Sequence, residues 1–252
     1  MLKIAITTTS FGKYDNEPLN LLRRNGFEII LNPYGRKLKK DEILSLCTDV
    51  VGIIAGTESL DAEVLERLSQ SSVLSPQSLK VISRCGAGLD SVDVNVANGL
   101  GIKVFNTPDA PTLAVAELTL GLMLNLLRKI SRMDNELRSG QWDKKMGNLL
   151  SGKRVGIKGF GRIGKKVAEL LKPFDCEIAY ADPFVEDGLL GLCRLSLEDL
   201  LKWADIVTIH VGVRERLIGE KEFKIMKKGA WLINTSRGGV VDESVLPSPL
   251  AR

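Results

Sequence analysis

A single histidine, four cysteines without a C-x-x-C pair and only a small excess of one charge sign set the first limits on this chain. Cys47, Cys85, Cys176 and Cys193, with only His210 to help them, offer neither the clustered ligands of a zinc site nor a disulfide framework, so reduced thiols and no bound metal are expected. Lys and Arg total 35 against 31 Asp and Glu, a formal net charge of +4. These charges are interspersed, as in Arg214, Glu215, Arg216 and again in Glu220, Lys221, Glu222, which marks a solvated surface rather than a nucleic-acid stripe. The amino-terminal MLKIAITTTS has none of the basic region, long apolar stretch and cleavage site of a signal peptide. The most apolar run, residues 113–127, is interrupted by Glu117 and falls short of the ~20 residues that span a bilayer. The expectation is a soluble cytoplasmic protein with neither nucleic acid nor membrane as partner.

What is present is ordinary globular material. The 252 residues are 44% apolar and 26% charged, and that length corresponds to about 1.7 domains of ~150 residues. In the first half, short apolar runs at 3–8, 28–31, 50–55 and 80–83 read as strands, separated by amphipathic helices at 17–25, 40–46 and 61–69. The continuous apolar character of DVVGIIAG is what a strand buried on both faces of a parallel sheet requires. Strand-like runs return at 154–158, 177–181, 205–211 and 231–234, so a second parallel sheet is expected. Between the halves, residues 112–133 form a helix with leucines on nearly every side, which must be buried within the chain or between chains. Periodicity does not choose between these.

One segment carries recognisable chemistry. In GKRVGIKGFGRIGKKVAELL, Gly159, Gly161 and Gly164 stand in G-x-G-x-x-G spacing after a strand and before a helix. The next strand ends in Asp182, 18 residues past the last glycine, where a dinucleotide-binding βαβ unit needs an acid for the ribose hydroxyls. Gly159 permits the tight turn, Gly161 lets backbone approach a pyrophosphate, and Gly164 lets helix and strand pack closely. The helix amino terminus offers its free N–H groups to the anion. An acid at Asp182 repels a 2′-phosphate, so NAD is expected rather than NADP.

RCGAGLDSVD (84–93), FNTPDAPTLAVAELTLGLMLNLLRKI (105–130), GKRVGIKGFGRIG (152–164), DIVTIHV (205–211) and LIGEKEFKIMKKGAWLINTSRGGVVDE (217–243) together resemble the D-isomer-specific 2-hydroxyacid dehydrogenases, most closely their phosphoglycerate-dehydrogenase-like branch. The resemblance implies an α/β fold with a flavodoxin-like substrate domain at 1–103 and a Rossmann doubly wound NAD-binding domain at 104–252. It places the active site between the two and implies a homodimer formed through the helix at 112–133. The implied reaction is hydride transfer between nicotinamide and C2 of a small 2-hydroxy or 2-keto acid, with 3-phosphoglycerate-like substrates preferred. By resemblance Arg237 is the catalytic arginine, its planar fork gripping the substrate carboxylate and carbonyl. Cofactor contacts carry over to Ala87, Arg162, Ile163, Asp182, Val211, Thr235 and Ser236, and the amides of Gly86, Ala87 and Gly88 are expected to face the substrate carboxylate.

The sequence also departs from that family. The histidine and glutamate of its acid–base pair lie downstream of the arginine motif, whereas this chain follows VVDES with VLPSPLAR, so a Rossmann domain truncated at its C-terminal end and an impaired enzyme are expected. The alternative is a non-catalytic NAD-binding or dimerisation module. Truncation would leave an open sheet edge at strand 231–234. The segment VGVRER is shorter than the corresponding family loop and lacks its proline, which puts the nicotinamide side in question. Lys158 stands where an apolar residue is usual, as a buried charge expected to be costly unless it reaches solvent or neutralises. His210 is expected to line the cofactor rather than to act as an acid. Arg36 and Lys37 are read as a solvated basic loop in preference to a phosphate site.

Overall fold

The computed structural model describes residues 1–71 and 78–246. It divides into two compact units, Met1–Pro111 and Thr112–Arg252.

In the first unit, β1 (Leu2–Ile6), β2 (Phe27–Leu31), β3 (Gly52–Ala55), β4 (Val81–Arg84) and β5 (Lys103–Asn106) form one sheet in the order β2-β1-β3-β4-β5. Every pairing is parallel, and the order is that of a flavodoxin-like layer. Helices α1 (Glu17–Arg24), α2 (Lys40–Leu46), α3 (Ala62–Ser71) and α4 (Val94–Gly99) make the crossovers. The core gathers Ile43, Ile53, Leu60, Val64, Leu65 and Ile82, all at most 1% exposed. Strand β5 and helix α4 were not foreseen: KVFN is short and has two exposed residues, and VNVANG is a six-residue helix capped by the Asp93 carboxylate on the Val96 amide. Because β5 pairs with β4 from Lys103 onward, the first unit runs past the expected boundary at 103 to Pro111.

The second unit holds β6 (Arg154–Lys158), β7 (Glu177–Ala181), β8 (Cys193–Arg194), β9 (Ile206–Ile209) and β10 (Trp231–Asn234), in the order β10-β9-β6-β7-β8 and again all parallel. This is the doubly wound arrangement, with the strand order reversing between β6 and β9. It carries α5 (Thr112–Arg128), α6 (Ile130–Arg138), α7 (Arg162–Leu171), α8 (Leu197–Trp203) and α9 (Glu220–Ile225). All four β9 residues are buried, as a central parallel strand demands. Phe160 and Tyr180 stack at 4.0 Å between ring centroids within the core.

One expectation about the long helix is corrected. It is two helices rather than one, broken at Lys129, whose left-handed φ of 57° cannot continue an α-helix. Within one chain it is buried on one face: Ala116, Thr119, Met123 and Leu127, at three- and four-residue spacing, meet the core, whereas Leu113, Leu118, Leu126 and Ile130 are exposed. Among the described residues β9 is the only strand paired with β10, and no helix is long and apolar enough to cross a membrane. The end of VLPSPLAR, residues 247–252, lies outside the described residues.

Candidate cofactor and substrate site

The carboxyl ends of β6, β7, β9 and β10 bring the expected cofactor residues of the second unit together. Gly159 follows β6 with φ of +90°, and a Cβ there would stand 2.5 Å from the His210 carbonyl oxygen and 2.9 Å from Val211 Cγ1. At Gly164 a Cβ would fall 2.2 Å from the Gly159 oxygen. Both glycines are therefore fixed by protein packing against the loop. Gly161, the N-cap of α7, is different: a Cβ there would meet nothing within 4 Å, so the space in front of it is open to a ligand.

No side chain caps α7, and the N–H groups and dipole of a helix amino terminus favour an incoming anion there. Asp182, just past β7, accepts from the Phe160 amide through Oδ2 at 2.8 Å and from the Phe184 amide through Oδ1 at 2.9 Å. Its carboxylate thus clamps the glycine loop and retains lone pairs for ribose hydroxyls. A pyrophosphate-bearing dinucleotide fits this cradle: glycine is required where protein approaches, and room is left where ligand would.

Beyond β10, Asn234 organises the turn that bears Arg237. Its Oδ1 accepts from the Ser236 amide at 3.0 Å and hydroxyl at 2.6 Å, while its Nδ2 donates to the Arg237 carbonyl at 2.8 Å. Sequence reasoning missed this residue, although an Asn placed directly before a turn is a recognisable Asx-turn signal. Asn234→Ala is expected to loosen the turn and destabilise the chain by about 1 kcal/mol, measurable as a lower urea midpoint; an unchanged midpoint would remove Asn234 from this role.

His210 is half-buried, and burial pushes its imidazole down to about 4. Nδ1 meets Thr235 Oγ1 at 3.2 Å and Nε2 meets Thr208 Oγ1 at 2.9 Å. A neutral ring engaged at both nitrogens does not act as a free acid. The pH consequence has a definite sign. The unfolded chain, with an ordinary imidazole near 6.5, takes up a proton before the folded one does, so stability present above pH 6.5 is lost as pH falls toward 4. Urea midpoints at pH 7 and pH 5 check this, and a flat profile would contradict it.

The segment 211–216, whose shortness raised doubt, is tied to the arginine turn. Arg216 pairs with Asp242 at 2.7 Å, and the Leu217 and Ile218 amides donate to the Val240 carbonyl. Lys158 is half-buried rather than buried outright; burial lowers its pKa and the Asp182 carboxylate opposes that shift. The expectation of an isolated buried charge is corrected to one in the field of Asp182. Lys158→Met is expected to raise stability by about 1 kcal/mol, read as a higher melting temperature.

In the first unit, the Gly86 amide is already taken, by the Arg84 carbonyl at 2.9 Å and by Thr107 Oγ1 at 3.0 Å. The expectation of three carboxylate-facing amides narrows to Ala87 and Gly88, whose N–H groups have no partner among the described residues. Asn106 Nδ2 holds the Ala87 carbonyl at 2.7 Å. Arg36 forms a fork with Glu42, at 2.6 and 2.9 Å, as a solvated loop would. Burial pushes the Cys47 thiol up to about 12, and among the described residues no cluster could hold a metal.

Comparison with known proteins decides the family. Residues 120–252 match the profile of the D-isomer specific 2-hydroxyacid dehydrogenase, NAD binding domain. The chain belongs to that dehydrogenase family. It is 37% identical over 215 residues to a hydroxypyruvate reductase of Thermotoga maritima, covering 83% of this chain and 68% of the relative. It is 33% identical over 239 residues to a D-3-phosphoglycerate dehydrogenase of Archaeoglobus fulgidus, covering 91% of this chain but only 43% of that one. Among solved structures, a Thermus thermophilus protein superposes with a TM-score of 0.86 at 34% identity, covering 96% of this chain and 76% of the other. The glycine loop and Asp182 lie in the segment matched to the family's NAD-binding domain, so NAD is the cofactor of that unit.

Proposed function

We propose that this chain supplies the NAD cradle and substrate-gripping arginine of an oxidoreductase acting on small D-2-hydroxy or 2-keto acids, with 3-phosphoglycerate-like substrates favoured. The observation that carries the reading is the position of His210: its carbonyl oxygen lies against Gly159, and its Nδ1 meets Thr235. One residue thereby joins the cofactor loop to the turn that holds Arg237. When bound, the nicotinamide supplies or accepts the hydride. The chain's own residues bind and orient. Gly159, Gly161, Arg162, Ile163 and Gly164 form the pyrophosphate cradle, Asp182 meets the ribose, and Val211, Thr235 and Ser236 flank the nicotinamide end. Arg237 fixes the substrate carboxylate through its fork, and in the first unit the Ala87 and Gly88 amides, without a partner among the described residues, remain as donors.

The chain's one imidazole is committed to two threonines, so residues 1–252 contain no histidine for the hydroxyl proton. Its absence commonly lowers rate by ~10² to 10⁴. NADH fluorescence titration alongside NADH oxidation with phosphohydroxypyruvate, hydroxypyruvate and glyoxylate tests the proposal. Binding with slow turnover supports it; binding with none favours a non-catalytic NAD module, and no binding refutes both. The exposed Leu113, Leu118, Leu126 and Ile130 support a second part of the reading, a homodimer through residues 112–133, that is α5 and the start of α6. Leu118→Lys is then expected to shift the mass measured by light scattering from two copies to one.

A further inference from the structure

Thr119 on α5, Thr208 on β9, His210 just past it and Thr235 just past β10 stand in one line of hydrogen-bonding side chains. Thr119 Oγ1 donates to the Val115 carbonyl at 2.8 Å and lies 3.2 Å from Thr235 Oγ1. Thr235 Oγ1 is 3.2 Å from His210 Nδ1, and His210 Nε2 is 2.9 Å from Thr208 Oγ1. Thr119 and Thr208 are fully buried, so their hydroxyls cannot turn to water for a substitute partner.

The direction of the line follows from the one end that cannot donate. A backbone carbonyl only accepts, so the single hydroxyl hydrogen of Thr119 is committed to Val115. Thr119 Oγ1 can then only accept from Thr235, which uses the one hydrogen Thr235 has. Thr235 Oγ1 must in turn accept from His210, which places the ring proton on Nδ1. The bare Nε2 accepts from the Thr208 hydroxyl. Each hydrogen has one acceptor and none is left over.

We propose that this directed line makes Thr119 and His210 positioning residues for the turn bearing Arg237: it holds His210 as the Nδ1–H tautomer and leaves the Thr235 oxygen able only to accept. Thr235 can then take only a donor from a bound molecule, an amide N–H or a sugar O–H, and this last clause rests on the cofactor reading above. The burial of the ring, which keeps it neutral, agrees with the assignment.

Because the chain has one histidine, long-range ¹H–¹⁵N correlation of the histidine-labelled protein at pH 7 reads the tautomer directly. The expected result is a pyrrole-like Nδ1 and a pyridine-like Nε2, the reverse of the form preferred by free imidazole. Thr119→Val removes the acceptor for Thr235, whose hydrogen must then turn to Nδ1. The pyrrole-like nitrogen is therefore expected to move to Nε2, with NADH affinity falling about fivefold. Thr119→Ser keeps the hydroxyl and should retain both the wild-type pattern and the affinity. An Nε2–H ring in the unmodified protein, or an unmoved pattern in Thr119→Val, overturns the proposal. Should Thr119→Val fail to fold, the wild-type spectrum decides alone. Absence of NADH binding by the wild type counts against the cofactor reading and leaves the tautomer result standing.

Discussion

Gly159→Ala is expected to cost the chain about 2–4 kcal/mol of stability and to abolish NADH binding. Two causes act together. The backbone at this position has φ of +90°, where an L side chain is strained, and the new methyl would lie 2.5 and 2.7 Å from the His210 carbonyl oxygen and carbon. Those atoms are backbone at the end of β9, whose hydrogen bond from the His210 amide to the Lys158 carbonyl ties it to β6, so neither partner can yield without opening the sheet. The control is Gly161→Ala. There φ is −76° and the space is empty, so the fold is expected to stay intact while NADH affinity falls, because the methyl occupies the approach to the helix amino terminus. Thermal melts and NADH titrations of the pair separate the two effects. A Gly159→Ala protein that melts with the wild type would show that the strand junction is softer than its packing implies.

Asp182→Ala is expected to weaken NADH binding by about 10- to 100-fold and to lower stability by about 1–3 kcal/mol. The carboxylate does two jobs: it offers acceptors to a ribose and it already satisfies the Phe160 and Phe184 amides. Its removal leaves the Phe160 amide unpaired next to a fully buried ring. It also withdraws the one carboxylate that supports the half-buried Lys158 ammonium. The Asp182→Ala, Lys158→Met double variant is therefore expected to be more stable than Asp182→Ala alone while binding NADH no better. Equal stability of the single and double variants would mean that Lys158 does not feel Asp182.

The sequence determined a good deal by itself. The boundaries of β6, β7 and β10 were legible to the residue, because Arg154–Lys158, Glu177–Ala181 and Trp231–Asn234 are apolar runs bounded by turn-forming or charged residues. The glycine spacing and Asp182 were legible for a chemical reason: close backbone approach and ribose recognition each admit few residue types. Tertiary structure alone decided the rest. KVFN becomes a strand only because β4 lies beside it with open hydrogen-bonding groups, a non-local condition that a four-residue run cannot announce. The break at Lys129 and the exposure of Leu113 and Leu118 depend on which face of α5 meets the core, not on the helix's own composition. Occupation of the Gly86 amide by Thr107, and the line from Thr119 through Thr235 to His210, join residues 21 to 116 positions apart. Local pattern reports which side chains could bond. Only the folded chain selects the partner, and with it the atom that carries the proton.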